Sequence, residues 1–360
     1  MKLEEVYEQI KPLDTQAMDQ ARRHWSQIGK PLGALGRLED LLVQIAGITG
    51  KETMSLEKKG VVVFCADNGV VAEGVTQCGQ EVTALVAASM AEGHSSVCRM
   101  AATVGAEIFP MDIGMVHKQG VMGLLQRNIR RGTANFTQEP AMTRAQAEAA
   151  ILVGVEVVRE LQAAGYTLLA GGEMGIGNTT TSSAVVSVLL DLPPEKVTGR
   201  GAGLSDQGLQ RKISAIQRGI AHNQPDAQNP IDVLAKVGGL DLAGLVGLYL
   251  GGGLYHVPVL LDGFISYAAA LLAVRLCPAV KGYLLPSHCS DEPASQLVLE
   301  ELGMTPMLQA GMRLGEGTGA VALMPLLDMA CAVYQDSATF DDLQMEAYTP
   351  QGSDSATCST

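Results

Sequence analysis

Tyr166-Thr-Leu-Leu-Ala-Gly-Gly-Glu-Met-Gly-Ile-Gly-Asn-Thr-Thr-Thr-Ser-Ser-Ala-Val-Val-Ser-Val-Leu-Leu190 passes from a short apolar run, through a glycine-rich turn, into a second apolar run of helical length. A run this short and wholly apolar suits a strand buried on both faces, as in a parallel sheet. The same succession recurs twice. Gly60-Val-Val-Val-Phe-Cys-Ala66 leads into Asp67-Asn68-Gly69, and Val257-Pro-Val-Leu-Leu261 leads into Asp262-Gly263 and the apolar residues 264–274. Strand, turn and helix repeated in this order predict an α/β fold with a Rossmann-like parallel sheet, whose ligands gather at the carboxyl ends of the strands.

Working outward, both ends of the chain carry helical spacing, at residues 3–10, 15–27, 38–48, 324–334 and around Leu343. They predict a small helical domain from residues 1–55 and 320–350, a large α/β domain over 56–319, and a flexible Ser/Thr/Gly-rich tail at 351–360. Residues 242–261 carry no formal charge, about the length of a membrane span. Their five glycines, one His and one Pro read better as a buried helix, a glycine turn and a short core strand.

Composition narrows the function. Of 360 residues, 38 are acidic and 25 basic, a formal charge of −13, which argues against nucleic-acid or anionic-membrane partners. Apolar residues make up 47% and charged residues 18%, enough for a large core. Seven cysteines without a CxxC pair predict reduced cytoplasmic thiols, and six histidines without HxxxH or HExxH spacing predict no metal site.

Three glycine loops carry the chemistry. The turn at 171–183 exposes backbone N–H groups at a helix start, where an anion is favoured, and brings in Met174, Gly175, Gly177, Asn178 and Thr179. It is neither a Walker loop, since Asn178 stands where the lysine would, nor GxGxxG, since Thr180 replaces the last glycine. Gly199-Arg-Gly-Ala-Gly203, which includes Gly201, precedes a helix bearing Lys212: a phosphate-binding charge or an ordinary solvated cation. In Gly315-Glu-Gly-Thr-Gly319 a carboxylate sits between glycines, where it would repel phosphate. Glu316 is either a helix cap or a base held toward a cationic or proton-releasing substrate. Pro286-Ser-His-Cys-Ser-Asp-Glu-Pro293 reads as a polar loop lining a site rather than a triad.

Taken together and in order, Lys30-Pro-Leu-Gly-Ala-Leu-Gly-Arg-Leu-Glu39, Gly172-Glu-Met-Gly-Ile-Gly-Asn-Thr-Thr180, Gly199-Arg-Gly-Ala-Gly203, Leu261-Asp-Gly-Phe264, Pro286-Ser-His and Arg313-Leu-Gly-Glu-Gly-Thr-Gly-Ala320 resemble the nicotinate-nucleotide:dimethylbenzimidazole phosphoribosyltransferase family of cobalamin biosynthesis. The resemblance runs over residues 5–345. It implies a cytoplasmic homodimer that needs no cofactor. The implied reaction moves phosphoribose from nicotinate mononucleotide to 5,6-dimethylbenzimidazole, giving α-ribazole 5′-phosphate and nicotinate. It makes Glu316 the base and Glu173 a second active-site carboxylate, and puts phosphate and ribose contacts on Gly175, Gly201, Lys212, Ser290 and Leu314. On this reading Glu316 faces the incoming heterocycle, the neighbouring glycine amides face the phosphate, and both glutamates stabilise positive charge on the ribose.

The chain departs from the family in Ala66-Asp-Asn-Gly69, where Gly-Asp-His-Gly is expected, and in Cys78-Gly79, where an aromatic-Pro pair is common. The base pocket is placed around residues 75–83, with Thr76 and Gln80 as polar groups and Met174 as an apolar wall. Its occupant stays open among benzimidazoles, purines and phenols. The rival readings are a non-catalytic nicotinate-nucleotide-binding sensor of the same fold and a nicotinamide-dinucleotide dehydrogenase, the latter without its GxGxxG.

Overall fold

The computed structural model describes residues 1–117 and 121–349; the tail expected at 351–360 lies outside the described residues. Six strands form one sheet: β1 (Lys59–Ala66), β2 (Ala106–Gly114), β3 (Leu125–Gln126), β4 (Leu168–Met174), β5 (Val259–Leu261) and β6 (Leu284–Pro286). Their order is β3-β2-β1-β4-β5-β6, with every neighbouring pair parallel. This is the Rossmann order, and the direction of winding reverses between β1 and β4. Every residue of β1 is buried, as a strand covered on both faces requires.

Strands β2, β3 and β6 were not legible as apolar runs. Pro110 and Asp112 interrupt β2, and the other two are only two and three residues long. The uncharged stretch at 242–261 is a buried helix, Leu240–Tyr255, followed by β5. The turn between them is not a glycine turn: His256 takes the left-handed conformation. The glycines remain helical because another helix, Arg144–Ala163, comes too close for side chains. A Cβ on Gly247 would stand 1.9 Å from the Ile151 carbonyl oxygen. Among the described helices only Thr318–Asp336 is long and apolar enough to cross a membrane, and just over half of that stretch is buried in the protein.

The described residues divide into two compact units, residues 1–12 with 56–325, and residues 13–55 with 326–349. The first helix, Leu3–Gln9, therefore belongs with the large unit rather than with the helical ends. Its apolar stripe continues to Ile10, which fills the space beside Gly253. The smaller unit is built on Thr15–Gln27, Arg37–Thr49 and the last part of Thr318–Asp336. Trp25 meets Tyr334 edge to face at 4.9 Å, and the His24 ring nitrogen lies 2.7 Å from the Tyr334 carbonyl oxygen. The segment around Leu343 is turn rather than helix.

Candidate active site

Within the large unit, a cavity of about 290 Å³ opens at the carboxyl ends of β4, β5 and β6, beside the point where the sheet reverses. Each strand delivers a polar side chain there because the chain must turn as it leaves the sheet. Glu173 comes from the end of β4, Asp262 follows β5, and His288 and Ser290 follow β6. The end of β4 and the turn after it line the cavity with Met174, Gly175, Gly177, Asn178 and Thr179; the loop at 199–203 adds Gly201, the helix Asp206–Asn223 adds Lys212, and the loop before Thr318 adds Leu314 and Glu316. Thr76 is there too, its hydroxyl donating to the Cys78 carbonyl at 2.7 Å. Gln80 is not. Its amide turns back to the Asn68 carbonyl at 3.0 Å, so residues 75–78 form the wall and Gln80 only braces the segment.

Glu316 adopts φ +62, between Gly315 at +84 and Gly317 at +87. Three successive left-handed residues turn the loop tightly enough for helix Thr318–Asp336 to begin. The loop presses on β4, where a Cβ on Gly172 would stand 2.6 Å from the Glu316 carbonyl, and this brings Glu316 beside Glu173. The Glu316 carboxylate accepts from the Val97 N–H at 3.4 Å, in the first turn of helix Ser96–Thr103. Burial lifts its pKa above the usual carboxylate range, and that N–H partly offsets the rise.

The amides of Gly317 and Gly319 do not face the cavity as expected. Asp262, 3% exposed, accepts from the N–H groups of Gly317 at 3.1 Å, Gly319 at 2.7 Å and Ala320 at 3.3 Å. It caps the helix and pins the loop that carries Glu316. Burial raises the Asp262 carboxyl and lowers the neighbouring His288 imidazole, whose ring nitrogen lies 3.9 Å away.

Glu173 is held by Asn178, whose amide donates both to it and to Asp241 at 3.0 Å. Burial pushes the Glu173 pKa well above the ordinary value, and the charges of Asp241 and Asp262 push it further. Burial also raises Asp241, to about 6. Carboxyl groups crowded out of water disfavour one another's ionisation, so burial and the neighbouring carboxylates both work against the Glu173 anion.

Lys212 is 1% exposed, so it is not an ordinary solvated helix cation. Its Nζ donates to Thr179 Oγ1 at 2.7 Å and to the Gly199 carbonyl at 3.1 Å, and burial pulls its pKa down to about 8. Gln77 ties the two walls together by donating to the carbonyls of Ala202, at 3.2 Å, and Gly203. Asp241, Asp262 and Gln77 are not singled out by the sequence, whereas His288 and Glu292 lie in the 286–293 loop expected to line a site. For Asp262 the signal was present, since an acidic residue directly follows an apolar strand. Among the described residues, no group of three His, Cys, Asp or Glu side chains could hold a metal ion.

A switch-point cleft that joins a buried lysine and hydroxyls to a pair of glutamates defines an α/β enzyme of group transfer on a phosphorylated ligand. The chain belongs to the phosphoribosyltransferase family whose model matches residues 10–345. It is 48% identical over 342 residues to the nicotinate-nucleotide–dimethylbenzimidazole phosphoribosyltransferase of Acetivibrio thermocellus, covering 95% of this chain and 97% of that one. The protein of the same name from Clostridium acetobutylicum is 43% identical over 350 residues, covering 97% and 99%. The crystal structure of CobT from Thermus thermophilus superposes with a TM-score of 0.87 at 42% identity, covering 92% of this chain and 99% of that chain.

Proposed function

We propose that this protein transfers phosphoribose from nicotinate mononucleotide to 5,6-dimethylbenzimidazole or a related base, giving α-ribazole 5′-phosphate and nicotinate for cobalamin nucleotide-loop assembly. The observation that carries this reading is the presence in one cavity of Glu316, on a rigid left-handed turn, and of the buried Lys212–Thr179 pair. The donor's phosphate lies against Lys212, Thr179, Gly201 and Ser290, and its ribose reaches back toward Glu173, with Leu314 over it. The acceptor lies against Met174 and the wall at 75–78, with its reacting nitrogen at the anomeric carbon.

The unprotonated ring nitrogen of the base forms the new C–N bond on the face opposite the pyridinium. The old glycosidic bond breaks, its electron pair returns to the pyridine nitrogen, and configuration inverts from β to α. The other ring nitrogen of the base then carries an acidic N–H, whose proton passes to Glu316. Cationic charge on the ribose in the transition state is met by the carboxyl cluster. A positive pyridinium in the cleft also offsets the crowding that disfavours the Glu173 anion.

Mixing the protein with both substrates should release nicotinate and yield α-ribazole 5′-phosphate. Nicotinate mononucleotide bound without any nicotinate release would leave only a sensor. We place the enzyme in the cytoplasm as a homodimer, for which equilibrium sedimentation should return twice the chain mass.

A further inference from the structure

We infer that Glu292 governs how tightly the donor phosphate is held: its carboxylate occupies the phosphate seat and is displaced when the donor binds. The inference rests on the phosphate placement proposed above. Glu292 lines the same cavity as Gly201, Lys212 and Ser290. One carboxylate oxygen accepts from the Gly201 N–H at 3.0 Å, and the backbone N–H of Glu292 donates to Ser290 Oγ at 3.4 Å. The second oxygen is buried without a hydrogen-bond partner among the described residues. Only a glycine at 199 leaves it room, because a Cβ there would stand 2.0 Å from that oxygen. Its negative charge also favours the protonated form of the buried Lys212.

A tetrahedral oxyanion seated on these groups needs the N–H that Glu292 now engages. Two anions cannot share one amide at full strength, and at contact they repel. Before the donor binds, then, the carboxylate holds the 199–203 loop in its binding geometry and keeps a counter-charge near Lys212. Entry of phosphate turns the carboxylate aside, and the same competition helps the phosphorylated product to leave.

Glu292→Gln keeps an acceptor for Gly201 and removes the charge. The expected result is a KM for nicotinate mononucleotide, and an inhibition constant for inorganic phosphate, each lowered on the order of three- to ten-fold, with the KM for dimethylbenzimidazole unmoved. Unchanged or higher values for both anions would overturn the inference and leave Glu292 as a brace for the loop. Should the variant fail to fold, phosphate titrated into the unaltered protein should shift the Gly201 amide resonance; a resonance unmoved at saturating phosphate would overturn it equally. An unaltered enzyme that turns over while either test fails loses only the role of Glu292. One that neither releases nicotinate nor binds phosphate loses the phosphate placement itself.

Discussion

Glu316 is a non-glycine residue at φ +62, a conformation costing of order 1–3 kcal/mol that persists only where the surroundings impose it. Here the surroundings are Asp262 beneath the loop and Val97 in front of the carboxylate. Glu316→Gln should lower kcat on the order of 10²–10⁴-fold while donor affinity, read by calorimetry, holds. Near-normal kcat would send the proton elsewhere. The pH profile follows from two opposite shifts. Burial raises the Glu316 carboxyl, so the base form accumulates as pH rises through a value above the usual carboxylate range. Burial lowers Lys212 to about 8, so the cation is lost as pH rises through that value. For the donor, kcat/KM should therefore climb on the acid side and fall near pH 8. Lys212→Met should abolish the alkaline fall and weaken donor binding by about 1.5–3 kcal/mol, the worth of a charged hydrogen bond. Gly175→Val, which the sequence alone suggests as a block to the donor, is not a clean test. A Cβ at 175 would meet the Ala66 carbonyl at 2.5 Å and Asp241 at 2.6 Å, so the substitution strikes the packing behind the cavity.

Among the elements, the cap of helix Thr318–Asp336 couples structure to chemistry. Asp262→Asn replaces one acceptor oxygen with an NH₂ group facing N–H donors, and the 315–320 loop loses its anchor. The expected outcome is a lower kcat with donor KM nearly constant, and a Tm lower by a few degrees, since a lost cap is worth about 0.5–2 kcal/mol. A fall in Tm with kcat intact would reduce Asp262 to a purely structural cap. The helix pair Arg144–Ala163 and Leu240–Tyr255 makes a different case. Gly247 and Gly251 face helix Arg144–Ala163, where a Cβ would meet Ile151 and Val158, while a Cβ on Gly244 would meet Phe64 of β1; the sequence shows a buried helix but not this partner. Helix Leu240–Tyr255 could be placed from its uncharged pattern. Its partner could not: the close approach shows only in three dimensions, where a Cβ on Gly154 would stand 2.2 Å from the Gly244 carbonyl oxygen.

At the scale of the whole molecule, ligand binding should stabilise the native state by mass action. Nicotinate mononucleotide at a hundred times its Kd adds about 2.7 kcal/mol, visible as a rise in Tm that Glu316→Gln retains and Lys212→Met diminishes. Choice of base is likewise distributed over the cleft, where the wall from Val75 to Cys78 joins Met174 and Val86. Cys78 is smaller than the aromatic residue common in the family, and one methyl-sized contact is worth about 1–3 kcal/mol, so the enzyme should discriminate weakly among benzimidazoles. Cys78→Tyr should narrow that range. Two bases competing in one tube would measure it, and identical product ratios for parent and variant would exclude the wall from base selection.

By itself the sequence determined the α/β class, the strands β1, β4 and β5, most of the helices, and the cavity residues from Gly175 to Gly201. These features rest on local patterns: apolar runs, helical periods, and glycines in a turn between strand and helix. Tertiary structure alone decided where the amides and carboxylates point. Residues 173, 262 and 316 lie far apart along the chain. They meet because the sheet order places β4 beside β5 and because the glycine loop from 315 to 319 packs against β4 at Gly172. The amides of Gly317 and Gly319 thereby go to Asp262, and the amide of Gly201 to Glu292. A hydrogen bond depends on two groups meeting within about 3 Å, and chain spacing does not carry that information until the sheet has assembled.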